Sequence, residues 1–162
     1  MKKYMGIWVD HKNAYIATLE KPTLPQEEIS ETIFVEHLAS QVDRCTRLPG
    51  DSRSRKKPWG PQEVVVDSKI EERQKHQLRR FYAQLIDMLK AADKILIIGP
   101  GQAKYELHKQ IERSSKEMTK RIFGVETRDK MTERQIAAWV RTIFDHERKE
   151  GARPVAKWQY KI

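Results

Sequence analysis

Cysteine is almost absent: Cys45 is the only one in 162 residues. An internal disulfide is thereby excluded, and so is a zinc site built on several thiolates. Cys45 itself stands in a polar, basic stretch and reads as a spectator thiol. Long hydrophobic runs are missing as well. No window approaches the roughly 18 consecutive apolar residues of a membrane-crossing helix, and mean hydropathy is −0.77. The opening MKKYMGIWVDHKN meets Asp-His-Lys before an apolar segment of signal-peptide length can form, so the expected location is the cytoplasm. Acidic residues are in short supply. Asp and Glu total 23 against 32 Lys and Arg, a formal charge of +9 with pI ≈ 9.7. Such a surplus favours polyanionic partners, nucleic acid before an anionic membrane, without deciding fold or chemistry. The histidines, His11, His37, His76, His108 and His146, show no metal-ligand spacing, and surface or capping roles are expected of them.

What is there reads as one domain over 1–150 with a basic, aromatic tail at 151–162 (GARPVAKWQYKI). Met5–Val9 and Ala14–Leu19 are β-prone runs separated by Asp10-His11-Lys12-Asn13, turn chemistry that makes them a hairpin. Thr32–Val35 is a third strand of the same meander. From about 41 to 62 nothing periodic occurs, and Pro, Gly, Ser, Arg and Lys mark a long loop. Val64-Val65-Val66 is a short β-prone run. Ser68 then opens a helix, with Glu71 three residues on as a capping box. Leu78, Phe81, Tyr82, Leu85, Ile86 and Leu89 recur at helical spacing and mark its buried face, while Arg73, His76 and Arg80 share an exposed one. Lys94–Ile98 (KILII) is expected as a central strand covered on both faces. Gly99-Pro100-Gly101 breaks it, and Gln102–Ser115 is helical through Ala103, Leu107 and Ile111. Arg121–Val125 is another strand. Thr132 begins a last helix, Gln135 closing a second capping box, with Ile136, Trp139, Val140 and Ile143 as its apolar stripe. An antiparallel meander followed by βαβα is the order of a ribonuclease H-like α/β sandwich, a mixed central sheet flanked by helices.

The most specific segment is ILIIGPGQAKYEL, where a buried strand runs through Gly99-Pro100-Gly101 into a helix. Gly99, Gly101 and Lys104 could face an anion with the free N–H groups of the helix start, although a tight strand-to-helix connection explains the glycines equally simply. The segment lacks the Gly-Lys-Ser/Thr ending of a nucleotide-binding loop, so neither ATP nor GTP is expected, nor any other cofactor. It resembles the Gly-Pro-Gly-x-x-Lys strand–helix element in the middle domain of archaeo-eukaryotic class-1 release factors and their rescue relative Pelota. GIWVDHKNAYIATL is similar to that domain's opening hairpin, EERQKHQLRRFYAQLIDML to its long basic helix, and GVETRDKMTERQIAAWV falls where the family has a strand, a short turn and a last helix. The resemblance runs in order from Met5 to Phe144 and is greatest to the bacterial branch labelled as translational machinery proteins. It implies a ribosomal-protein-like form of the ribonuclease H-like architecture and a partner among ribosomal RNA, tRNA or the ribosome.

The same resemblance puts RSRKKPWGPQ where release factors hold their catalytic Gly-Gly-Gln. The nearest match is Gly60-Pro61-Gln62. Proline fixes φ and removes an N–H, so Pro61 cannot reproduce the second glycine, and peptide release is not expected. Charge remains. Arg44, Arg47, Arg53, Arg55, Lys56 and Lys57 stand against one acid, Asp51, and Trp59 offers a stacking surface. Arg73, Lys75, His76, Arg79 and Arg80 continue the positive track. The expected function is thus a non-catalytic RNA- or ribosome-associated protein of rescue, hibernation or stress. Two alternatives stay open. Asp10, at the end of the first strand, could hold a divalent metal in a ribonuclease H-like nuclease with Glu36, Glu126 and Asp129, or simply accept hydrogen bonds in its turn. The basic surface could also only keep an oligomeric scaffold soluble.

Overall fold

The computed structural model describes residues 2–22, 32–42 and 62–150 and, within the last span, side chains from 69 to 146. The expected hairpin forms from β1 (Lys2–Val9) and β2 (Asn13–Lys21), paired antiparallel with Ile7 opposite Ile16. β3 (Thr32–Ala39) adds to β2, also antiparallel, and runs four residues beyond the expected Val35. After α1 (Gln62–Leu89), β4 (Lys94–Gly99) pairs parallel to the other edge of β1, with Ile7 opposite Ile97. α2 (Ala103–Ser114) and α3 (Lys116–Arg121) then lead to β5 (Ile122–Thr127), parallel to β4, and α4 (Glu133–Glu150) follows. The strand order is β3-β2-β1-β4-β5. This is the mixed α/β sandwich that the order of elements implied. Among the described residues no helix is long and apolar enough to cross a membrane.

Alternation along the strands divides the core in two. Met5, Ile7, Val9, Ile16, Ile95 and Ile97 face α1, α2 and α3, which contribute Phe81, Leu85, Leu89, Leu107, Ile111 and Met118. Trp8, Ala17, Leu19, Leu96 and Ile98 face α4 through Ile136, Val140 and Phe144. Both sheet faces are covered, which is why KILII reads as a continuous apolar run instead of an alternating one. Gly6 lets α4 approach the sheet: a Cβ there would lie 2.1 Å from Val140 Cγ2. At the far end of β2, the buried ammonium of Lys21 pairs with Asp145 of α4.

Two local expectations are corrected. Val64-Val65-Val66 is helical, since α1 already begins at Gln62, and Ser68 and Glu71 lie inside the helix and do not cap its start. A three-residue β-prone run costs a helix only several tenths of a kcal/mol per residue, less than is lost by breaking a helix that has already nucleated. The helix expected over Gln102–Ser115 stops at Ser114. Ser115 is extended (φ −155°, ψ 116°), and its hydroxyl accepts from Met118 N to cap α3, a helix that carries the chain through Arg121. β5 therefore starts one residue later than expected. The second capping box is as read: Gln135 N donates to Thr132 Oγ1 at 3.3 Å and Thr132 N to Gln135 Oε1 at 2.9 Å.

Candidate functional site

β1, β4 and β5 are parallel, and the chain leaves β1 toward β2 on one side and β4 toward β5 on the other. The C-terminal ends of β1 and β4 thus flank a point where the connections diverge, the usual place for a ligand crevice in an open α/β sheet. The Asp10–Asn13 turn, the Gly99–Gln102 connection and the β5–α4 loop all gather at this edge.

α1 adds to it by its length. Its C-terminal end precedes β4 by only four residues, so the helix ends at the opposite, N-terminal edge of the sheet. Its 28 residues span about 42 Å, against about 20 Å for the 6 residues of β4. Roughly half of α1 therefore reaches beyond the C-terminal edge. Burial agrees: Phe81, Tyr82, Leu85, Ile86 and Leu89 are buried, whereas nothing between Lys69 and Arg80 is. Lys69, Arg73, Lys75, Arg79 and Arg80 stand exposed on this stretch against Glu71 and Glu72, with His76 exposed among them. The expected basic face, Arg73, His76 and Arg80, is real and solvent-facing. Arg44, Arg47, Arg53, Arg55, Lys56, Lys57 and Trp59, together with Gly60-Pro61 and the tail, lie outside the described residues.

The turn after β1 consumes Asp10. Its Oδ1 accepts from Lys12 N at 2.7 Å and from Asn13 N at 2.5 Å, and its own N–H donates to Asn13 O at 2.9 Å. Ser40 ties β3 to the same turn, its hydroxyl donating to His11 O at 2.6 Å. Of the other carboxylates weighed for a metal, Glu36 is exposed on β3, two strands from β1, and Glu126 faces Arg128 at 3.8 Å. Asp129 is exposed, and its backbone carbonyl accepts from Trp8 Nε1 at 3.1 Å. Among the described residues no three His, Cys, Asp or Glu side chains converge on a position that could hold a metal ion.

The Gly99–Gly101 connection is a clasp. Gly99 lies so close to β1 that a Cβ would come within 2.3 Å of Val9 O, whereas a Cβ on Gly101 would meet nothing within 4 Å. Lys104, 2% exposed, donates from Nζ to Gly101 O at 2.7 Å and lies over the Tyr105 ring at 4.5 Å. The ammonium thus folds back on the connection, and Gln102 at the start of α2 makes no side-chain cap.

Two clusters escaped the sequence reading. Glu106 Oε2 accepts from Tyr82 OH at 2.7 Å and meets His11 Nε2 at 3.1 Å, linking α1, α2 and the β1–β2 turn. Burial, then the bond and charge of Glu106, then the charge of Asp10, push the Tyr82 hydroxyl far above the usual tyrosine range. In the β5–α4 loop, Arg128 lies over the Trp139 ring at 3.9 Å. Both clusters join residues of different elements, and neither follows a spacing rule. The signal that could have found the second is chemical: an indole in an apolar stripe still offers a π face to a nearby cation.

No protein-family model matches the chain, and no curated protein matches it. Among solved structures it is similar to the crystal structure of the archaeal translation termination factor aRF1, at 14% identity and a TM-score of 0.38. The alignment covers 92% of this chain and 41% of that one, so the chain spans well under half the length of that factor. A likeness of that score settles nothing about function.

Proposed function

We propose that this protein binds RNA, in or near the ribosome, through the basic overhang of α1 and the Arg44–Lys57 segment, and that it catalyses no peptide release. The observation that carries the reading is the overhang itself. A helix that runs about 20 Å past its sheet presents its first turns clear of the sheet, and here the extension bears Arg73 and Lys75, with His76, Arg79 and Arg80 following on the next turns, all exposed. Cations held off the core can approach a phosphate backbone without steric conflict, and each neutralised phosphate releases counterions. The link to translation draws on the sequence resemblance to the release-factor middle domain. Gly60-Pro61-Gln62 in the place of Gly-Gly-Gln argues for contact without hydrolysis.

The test is co-sedimentation with ribosomes at moderate salt. Two variants are compared with wild type, one with Arg53, Arg55, Lys56 and Lys57 changed to alanine, the other Arg73→Ala with His76→Ala and Arg80→Ala. Loss of binding in both supports the reading. Unchanged binding in both overturns it. A metal-dependent nuclease is disfavoured because Asp10 is held by two backbone amides. Asp10-dependent cleavage of RNA with Mg²⁺ or Mn²⁺ would reverse that judgement.

A further inference from the structure

The loop between β5 and α4 differs in kind from the basic helix, because its cation is fixed in place. Arg128 N donates to Gly99 O at 3.2 Å, and the neighbouring Asp129 is tied by its carbonyl to the indole of Trp8. The guanidinium lies on the Trp139 ring, 3.9 Å from its centroid, with Nε turned to Glu126 at 3.8 Å. One plane of the group is therefore covered by the indole. Arg128 and Trp139 both line a cleft whose walls also include Lys130, Met131, Gln135, Ala138 and Thr142. The Arg128 side chain remains 45% exposed there. Gln135 is exposed and uses its Oε1 in the capping box, so its amide nitrogen is the group it has left to donate. Trp139 Nε1 is buried with no acceptor among the described residues.

We infer that this cleft receives one unpaired nucleobase of a bound RNA, stacked on the outer plane of the Arg128 guanidinium. The inference rests on the reading that RNA is the partner and says how that partner is held away from the basic helix. A phosphate is recognised by the edge of a guanidinium, where its N–H groups point. Here part of that edge is turned to Glu126, and what is presented is a flat, immobilised cationic face. Flat π systems stack on such faces, and unstacked bases are the planar groups that single-stranded RNA supplies. The position fits as well, since β5 ends at the same edge toward which the basic half of α1 projects. Lys130, exposed at the mouth, can meet the phosphate that follows the base. Gln135 can donate to a base edge.

The test uses the full chain and fluorescence anisotropy at low salt with two probes: a short single-stranded RNA and an abasic ribose-phosphate chain of equal length. Wild type is expected to prefer the base-bearing probe by about tenfold, the order that stacking one base supplies. Arg128→Lys keeps the charge and removes the plane. It should erase most of that preference and leave affinity for the abasic probe unchanged. Ala138→Leu, on the exposed helix surface lining the cleft, fills the space without touching the stack and should erase the preference too. Equal affinity of wild type for the two probes overturns the inference, as does a preference surviving in both variants. Absence of binding to either probe is a different result: it removes the RNA reading itself.

Discussion

Single glycines carry unequal structural roles in this fold, and Gly99 and Gly101 make the contrast testable. A Cβ at Gly99 would collide with the backbone carbonyl of Val9, which cannot move without disturbing β1, whereas Gly101 opens onto free space. Gly99→Ala should cost about 1–3 kcal/mol by denaturant unfolding, and Gly101→Ala should stay within about 0.5 kcal/mol of wild type. Equal effects would mean that the connection is not clamped at Gly99. Tyr82 makes a second prediction, on pH. Its hydroxyl holds its proton in the folded state well above the ordinary value of 10.0, through burial first and the bond to Glu106 next. The unfolded chain releases that proton near pH 10, so the stability Tyr82 provides is complete below that pH and declines as pH rises above it. Lys94 acts in the opposite sense: burial, then Lys2, lowers its value from 10.5, so folding gains as pH climbs toward that figure. Tyr82→Phe isolates the first effect, because Lys94 is common to both proteins. The variant should be about 1 kcal/mol less stable at neutral pH and close the gap above pH 10, measured by urea melts across the range. A gap that is constant with pH would place the Tyr82 hydroxyl in solvent.

Among the elements, those specified by local chemistry were legible. The Asp10–Asn13 turn, the strand KILII and the Thr132–Gln135 box all appear where the sequence put them, because a turn residue, a two-faced strand and a cap each act over a few positions. Thr132→Ala should therefore cost α4 about 1 kcal/mol, largely recovered by Thr132→Ser, in thermal or denaturant melts. The basic face of α1 was readable for the same reason, since helical spacing alone sets Arg73, His76 and Arg80 side by side. Where α1 begins was not readable. Val64-Val65-Val66 favours a strand locally, and only the neighbouring turns of helix decide otherwise. The break at Ser115 was hidden because Ser115 is unremarkable in composition; its hydroxyl becomes a cap only when the backbone has turned. The contacts of Glu106 with Tyr82 and His11, of Arg128 with Trp139, and of Lys104 with Gly101 depend on how the elements pack. The first spans long stretches of sequence, the second needs the β5–α4 loop folded back on its helix, and the third needs the Gly99–Gly101 connection already folded.

The molecule as a whole joins a packed plate to a charged overhang, and its net charge of +9 is unevenly used. If the overhang contacts phosphates, the logarithm of RNA affinity should fall linearly with the logarithm of salt. Each contacting cation removed by alanine substitution should then reduce that slope by about one. A slope indifferent to Arg73→Ala and Arg80→Ala would assign the binding to another surface. One consequence reaches beyond binding. β1 is hydrogen-bonded to a neighbour on both sides and buried on both faces from Met5 to Val9, while among the described residues β3 pairs with β2 alone and α1 has no buried residue from Lys69 to Leu78. Amide hydrogens in β1 can reach water only when the plate itself opens, so they should exchange at the rate of global unfolding. Those of the overhang need only a helix turn to fray. Hydrogen exchange on the free protein would then show two timescales in one domain, and a polyanion that slows the fast one while leaving the slow one unchanged would have revealed where it sits.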